Sequence, residues 1–390
     1  MHTTFKKSTI EKIAYSIGLS FLFLTFEIHI REFPFEVLGS LGILFIFLAG
    51  VFLSKSNEDT IQLQPAVVAS SLAILLLCYP IFGYILFTST KGSMESAKPI
   101  LQLSLCFLLI AILHNTGPLK LMRIAVYICA FCSVISVLIY IFNGFLYWDM
   151  FFNRSMSIFF DPNYASALLG FGVIAAINLT KYRRFFLAVC LVGCFLAFSK
   201  ATAIAIIISC VFYMYYAIPK LKIPIISTAV IAIFVFLSAW DAIFQFMVEN
   251  IPALRLEMGM NLRDIYWKLG TDAVIQNPLT LRTSSDVVNL ISSYGINTSL
   301  HNTYIETAFL YSLPISFLLV LSILLSIFGY VMSGKYSLAA ATLYLAVSAN
   351  NFTFMLGSPN ALSFFFTLLI FGGVAQVFNK RKTKRPGYVC

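Results

Sequence analysis

Residues 124–141, IAVYICAFCSVISVLIYI, run for eighteen positions without a charged side chain. Wound as an α-helix they extend about 27 Å, close to the thickness of a bilayer's hydrocarbon core. A transmembrane barrel strand would be shorter and would alternate apolar with polar residues, whereas this run is continuous. The stretch predicts a membrane-spanning helix.

Comparable windows recur along the 390 residues. The spans expected are 13–30, 37–53, 66–87, 100–113, 124–141, 162–180, 185–199, 201–218, 223–240, 304–328, 337–355 and 360–378. Composition agrees: 60% of residues are hydrophobic, 11% are charged, and the mean hydropathy is +0.90. Soluble domains average about 45–50% apolar and about 25% charged. The fold class predicted is all-α, a polytopic membrane protein of about twelve transmembrane helices forming one integral domain over 1–390. The opening MHTTFKKSTIEK leads into its apolar run without a small-residue cleavage motif, so no cleavable signal peptide is expected.

A net charge of +10 would suit nucleic acid if it were clustered on a soluble face. With the N-terminus inside, these spans put 17 of the 26 Lys and Arg residues, but only 3 of the 16 Asp and Glu, in cytoplasmic segments. KYRR (181–184) and NKRKTKR (379–385) carry much of that excess. The positive-inside rule then places both termini in the cytoplasm, and the charge becomes a topology signal rather than a sign of nucleic acid. Seven of the eight cysteines lie within spans, Cys129 and Cys132 as C-x-x-C in an apolar helix, so core packing is expected and no structural disulfide.

Two loops on the outer side are long, 142–161 and 241–303. The second has 63 residues, too many for a plain connector. Within it Leu262, Ile265, Tyr266, Leu269 and Ala273 recur at helical spacing behind a possible cap pair, Asn261 and Asp264. An amphipathic helix lying on the bundle or on the membrane surface is expected.

Polar groups collect on this side. Asp161 and Pro162 read as N-cap and first residue of the sixth span, with Arg154 seven residues earlier. A helix N-terminus with an arginine can hold an anion, although Asp161 reads first as a simple cap and Arg154 can equally reach headgroup phosphates. Lys200, after Ser199, breaks the positive-inside pattern, as a snorkelling residue or as a ligand. Arg255, Arg263, Lys268 and Arg282 lie in the large loop, with Trp267 four residues after Arg263 and able to brace it, or all four are ordinary surface charge. In SLHNTYIETA (299–308), Thr303 and Glu306 have capping-box spacing, which leaves His301 and Asn302 on the lip of a helix N-terminus. Imidazole there is either a loop residue or a general base.

The set resembles the superfamily of O-antigen polymerases and O-antigen ligases, over residues 154–312. The family's arginine ahead of a D/N-P-N helix start is matched by Arg154 with Asp161, Pro162 and Asn163. Its serine–basic–small motif is matched by Ser199, Lys200 and Ala201, although arginine is usual where Lys200 stands. Its loop arginine, tryptophan and proline are matched by Arg263, Trp267 and Pro278, without the family's following glycine pair, and its His-Asn by His301 and Asn302.

The resemblance implies a metal-independent, cofactor-free, inverting glycosyl transfer at the periplasmic face of a bacterial inner membrane. Donor and acceptor are lipid-linked, the donor on undecaprenyl pyrophosphate, and the working partners are a flippase and a chain-length regulator. Arg154, Arg263 and Lys200 would hold the pyrophosphate, His301 would take the acceptor's proton, and Asn163, Asn302, Arg282 and Trp267 would line the substrate. A repeat-unit polymerase is the first expectation. A ligase joining the chain to lipid A–core uses the same chemistry. A flippase of lipid-linked sugars is the alternative of another class, and transporters of that kind carry midplane breaks and repeats that this chain does not show.

Overall fold

The computed structural model describes residues 117–143, 162–197, 199–228, 263–280, 284–292, 300–350 and 361–379, the turn 15–20, and Ile13, Gly42, Ile46, Ile231, Arg282, Phe352 and Asn360. The expected spans 37–53, 66–87 and 100–113, most of 13–30 and 223–240, and Arg154, Asp161, Arg255 and Asn261 lie outside these residues.

Among the described residues there are helices and no strands. The principal ones, in chain order, are α1 (Gly117–Asn143), α2 (Pro162–Ala176), α3 (Arg183–Ala197), α4 (Lys200–Ala217), α5 (Arg263–Gln276), α6 (Ser284–Ser292), α7 (Thr303–Tyr311), α8 (Leu313–Met332), α9 (Tyr336–Ser348) and α10 (Ala361–Asn379). Three stretches are long and apolar enough to cross a membrane: Pro118–Ile141 in α1, Lys200–Ala217, which is α4, and Leu313–Met332, which is α8.

Small residues let the helices close on one another, the usual device where lipid gives no hydrophobic drive between helices. A β-carbon on Gly193 of α3 would run into Ser133 of α1, and one on Gly329 of α8 would run into the Gly373 carbonyl of α10. Hydroxyls add bridges: Ser326 Oγ donates to the Leu369 carbonyl (2.8 Å) across the α8–α10 seam, and Tyr344 Oη of α9 to that of Ala167 in α2 (2.6 Å). The core they enclose is aromatic, with Phe171 packed on Phe365 at 4.7 Å between ring centroids. Cys129, Cys132, Cys190 and Cys194 are buried cysteines in the α1–α3 part of it.

The two ends of the bundle differ in charge. One end is tied by Arg123 Nε donating to the Asn178 carbonyl (3.2 Å), by Ser337 Oγ to Asn178 Oδ1, and by Lys335 Nζ to Gln376 Oε1 (3.1 Å). Lys120, Arg123, Lys181, Arg183, Arg184, Lys220, Lys222 and Lys335 belong to this end, and no Asp or Glu among the described residues joins them. Asp264, Asp272, Asp286 and Glu306 belong instead to the α5–α7 segment, which sits at the other end.

Two expectations are corrected. The run 304–328 is not one helix: it breaks at Ser312, whose φ of 97° stops α7 and starts α8. Pro314, the second residue of α8, disfavours helical backbone at Leu313, the residue before it, so a break nearby is natural. The break folds α8 back until Ser316 Oγ donates to the Tyr304 carbonyl (2.8 Å). Boundaries also move: α1 begins at Gly117, seven residues before the expected span, and α9 ends at Ser348 rather than at 355.

Candidate functional site

At the less basic end, α2, α4 and α7 begin around the point where α9 stops. Pro162 opens α2, as its fixed φ favours, followed by half-buried Asn163. The next residue, Tyr164, lays its ring against Phe352, 5.8 Å between centroids. The carbonyl of that same Phe352 accepts from both the amide (3.1 Å) and the hydroxyl (2.7 Å) of Thr303, the first residue of α7. The starts of α2 and α7 are thereby joined through one residue.

The helix α4 opens on extended, buried Ser199 and then Lys200, and two residues on Thr202 packs beside Gly170 of α2. Tyr344 of α9 reaches the same spot, and Tyr304 Oη donates to the α9 carbonyl of Ala346 (2.7 Å). Each helix start carries roughly half a positive charge in its unpaired N–H groups.

The capping of α7 differs from the expected box. Asn302, only 5% exposed, is the N-cap: its Oδ1 accepts from the amides of Tyr304 (3.0 Å) and Ile305 (3.1 Å), while its Nδ2 donates to the Asn350 carbonyl (3.2 Å). Thr303 does not cap, because its hydroxyl belongs to Phe352. Glu306, 7% exposed, reaches past the cap to accept from the amide of Leu300 (3.0 Å). Asn302 was a candidate substrate ligand; its bonds show it building the helix start.

Between these bonds stands His301, half-buried and in the left-handed region at φ 52°. Such a conformation costs about 1–2 kcal/mol in a residue with a β-carbon, and histidine is among the types found there more often than most. The surrounding bonds hold it.

The large loop supplies α5, with Arg263 as its first residue and a buried stripe of Tyr266, Gly270 and Val274. This stripe lies one position away from part of the expected one: Ile265 and Leu269 are only half-buried, and Leu262 lies outside the described residues. Gly270 explains the shift. A β-carbon there would stand 2.9 Å from Ile305 Cγ2 and Leu300 Cδ1, so only glycine lets α5 press this edge onto α7. The shared core joins Tyr266, Val274, Val287, Ile291, Leu300 and Phe309. The amphipathic helix expected on the bundle or on the membrane surface packs on α7. Burial pushes the Tyr304 and Tyr266 phenols up, so both stay protonated near neutrality and neither serves as a base.

Trp267 and Arg282 have structural bonds. Trp267 Nε1 donates to the Leu300 carbonyl (3.1 Å). The Arg282 guanidinium donates to the carbonyls of Phe309 (3.2 Å) and Ala273 (2.9 Å) and lies 4.6 Å from the Phe309 ring. It thus closes the last turns of α5 and α7 together, where a cation also suits both helix dipoles. That is the far end of α7 from His301, so Arg282 does not join the candidate site.

The structure brings together the elements of Asn163, Lys200, Arg263, His301 and Asn302, while Arg154 lies outside the described residues. Sequence reasoning missed Phe352, which links α2 to α7, and the double hold on Leu300. The Phe352 and Trp267 bonds have no local signature, for they cross 49 and 33 residues of sequence. Such a cluster can draw an anion to helix N-termini and cations, with an imidazole at the edge to move a proton. No protein-family model matches the chain, and comparison with curated proteins gives no match.

Proposed function

We propose that this chain is a membrane-embedded glycan transferase, a repeat-unit polymerase acting on undecaprenyl-pyrophosphate-linked substrates at the extracytoplasmic face. The observation that carries the reading is the fastening of Arg263's helix to the His301 turn through Trp267 and Leu300, beside the starts of α2 and α4. An anion-binding cation and a proton acceptor are then parts of one assembly.

The charge difference between the ends supports the orientation. Eight Lys and Arg residues without a described acid mark a cytoplasmic end under the positive-inside rule, which leaves His301 outside. The twelve-span topology with both termini inside belongs to this proposal, as does an inner-membrane location.

In the reaction an acceptor hydroxyl attacks the anomeric carbon of the donor sugar. The new C–O bond forms as the bond to the pyrophosphate oxygen breaks, with inversion. His301 takes the hydroxyl proton, and undecaprenyl pyrophosphate leaves with the bonding electrons. Arg263 and Lys200, with Arg154 by resemblance, stabilise the charge that grows on the leaving group. Asn163, at the mouth of α2, lies where it can meet a sugar hydroxyl.

The test is purified protein in lipid nanodiscs with a lipid-linked repeat unit. A ladder of longer lipid-linked chains is expected. Transfer only onto added lipid A–core would replace polymerase by ligase, and translocation without a new bond would replace both by a flippase.

A further inference from the structure

His301 occupies a backbone angle that the chain around it must impose. Two peptide planes meet at this residue, and φ is the rotation that separates the earlier plane from Cα. The earlier plane carries the Leu300 carbonyl, held by Trp267 Nε1 at 3.1 Å. The plane after it leads into Asn302, whose Oδ1 takes two amides of α7 and whose Nδ2 reaches the Asn350 carbonyl. One residue further back, the Leu300 amide is held by the buried Glu306 carboxylate at 3.0 Å. Leu300 is gripped on both of its backbone polar groups, and its side chain is buried against the seat left by Gly270.

We propose that Trp267 and Glu306 are positioning residues that set the direction of the His301 imidazole. They act together on Leu300, one from the loop helix α5 and one from α7, and this rests on the transferase reading above. Because α5 also begins with Arg263, the Trp267 bond fixes the separation between the cation and the imidazole. Arg282 closes the other end of the α5–α7 pair, so the two helices are tied at both ends. Neither Trp267 nor Glu306 touches substrate in this account. Trp267, taken from sequence as a lining residue, acts through Leu300.

The expected signature is a loss of turnover without a loss of binding. Misplacing a reacting group by about 1 Å can cost about 10²-fold in rate. Glu306→Ala and Trp267→Phe should each lower kcat by about 10- to 100-fold and leave KM for the lipid-linked donor within about twofold. Glu306→Gln should keep most of the rate, since its amide oxygen still accepts from the Leu300 N–H. The double variant should be scarcely worse than the poorer single one, because both act on one residue. Hydrogen exchange of the peptide spanning 298–306 reads the clamp without any substrate, and it should quicken in Glu306→Ala and Trp267→Phe. Unchanged exchange in both variants, or wild-type kcat in both, overturns the proposal. Quickened exchange in both variants, with no glycan transferred by the wild-type protein, would leave the clamp standing and remove the transferase reading instead.

Discussion

The indole nitrogen of Trp267 and the carbonyl oxygen of Leu300 lie 3.1 Å apart across 33 residues of sequence. That bond, with the packing at Gly270, seats the loop helix on the turn that carries His301. Gly270→Leu should unseat it: the added side chain meets Ile305 and Leu300 at once, and overpacking of this kind costs about 1–3 kcal/mol. Chain extension should fall with it, and the midpoint of thermal unfolding in detergent should drop. An unshifted midpoint would show that α5 can move away at no cost.

Arg282 provides a test at the opposite end of the same pair. Its guanidinium holds two carbonyls and an aromatic face, and hydrogen bonds to charged groups contribute about 1.5–3 kcal/mol. Arg282→Ala should lower stability by an amount of this order and reduce activity only through loss of folded protein. Arg282→Lys should recover part of it, since an ammonium cannot fork to both carbonyls. Specific activity per folded molecule is the deciding measurement: a large fall there would return Arg282 to the substrate.

Topology follows from the charge difference between the two ends. Alkaline phosphatase fused after residue 290 should be active, and fused after residue 184 inactive. The opposite pattern would put His301 in the cytoplasm and end the proposal for an extracytoplasmic reaction.

Much of the bundle was legible in the sequence because apolar length alone marks a span. The charge-free run 124–141 lies wholly within α1, and Pro162 marked the start of α2. The break at Ser312 was not legible, since apolar residues continue on both sides of it and hydropathy does not see a backbone angle. Asn302 and Thr303 were misassigned because both are good caps. Only the Phe352 carbonyl, 49 residues later, decides which one is free to cap. The face of α5 was misjudged by about one position, because glycine does not register as apolar although it is the closest contact. Trp267 and Arg282 show the same limit, since a hydrogen bond to a distant carbonyl leaves no trace in local composition.

The anion-binding groups should behave differently from Arg282. Arg263→Ala and Arg154→Ala should each cut transfer severely while the protein stays inserted and abundant. A charge-assisted bond to the departing pyrophosphate stabilises the transition state by about 3–4 kcal/mol, which is about 10²–10³-fold in rate. Lysine at either position should restore only part of the rate, as it lacks the bidentate fork. Full-length glycan made at the normal rate by both alanine variants would rule out these arginines as the anion site.

His301 allows a cleaner separation of chemistry from structure than most candidate bases, because its backbone is left-handed. Alanine at that φ is strained, so His301→Ala confounds loss of the imidazole with a disturbed turn. Asparagine tolerates the left-handed region well and carries no group that titrates near neutrality. His301→Asn should therefore keep the wild-type melting midpoint and the wild-type exchange rate of the turn, yet lose about 10²–10⁴-fold in rate, the usual cost of removing a general base. His2→Ala, His29→Ala and His114→Ala should extend glycan normally. Turnover of the wild-type enzyme should persist with chelator present. An asparagine variant that works at the wild-type rate would make His301 a residue chosen for its backbone angle alone.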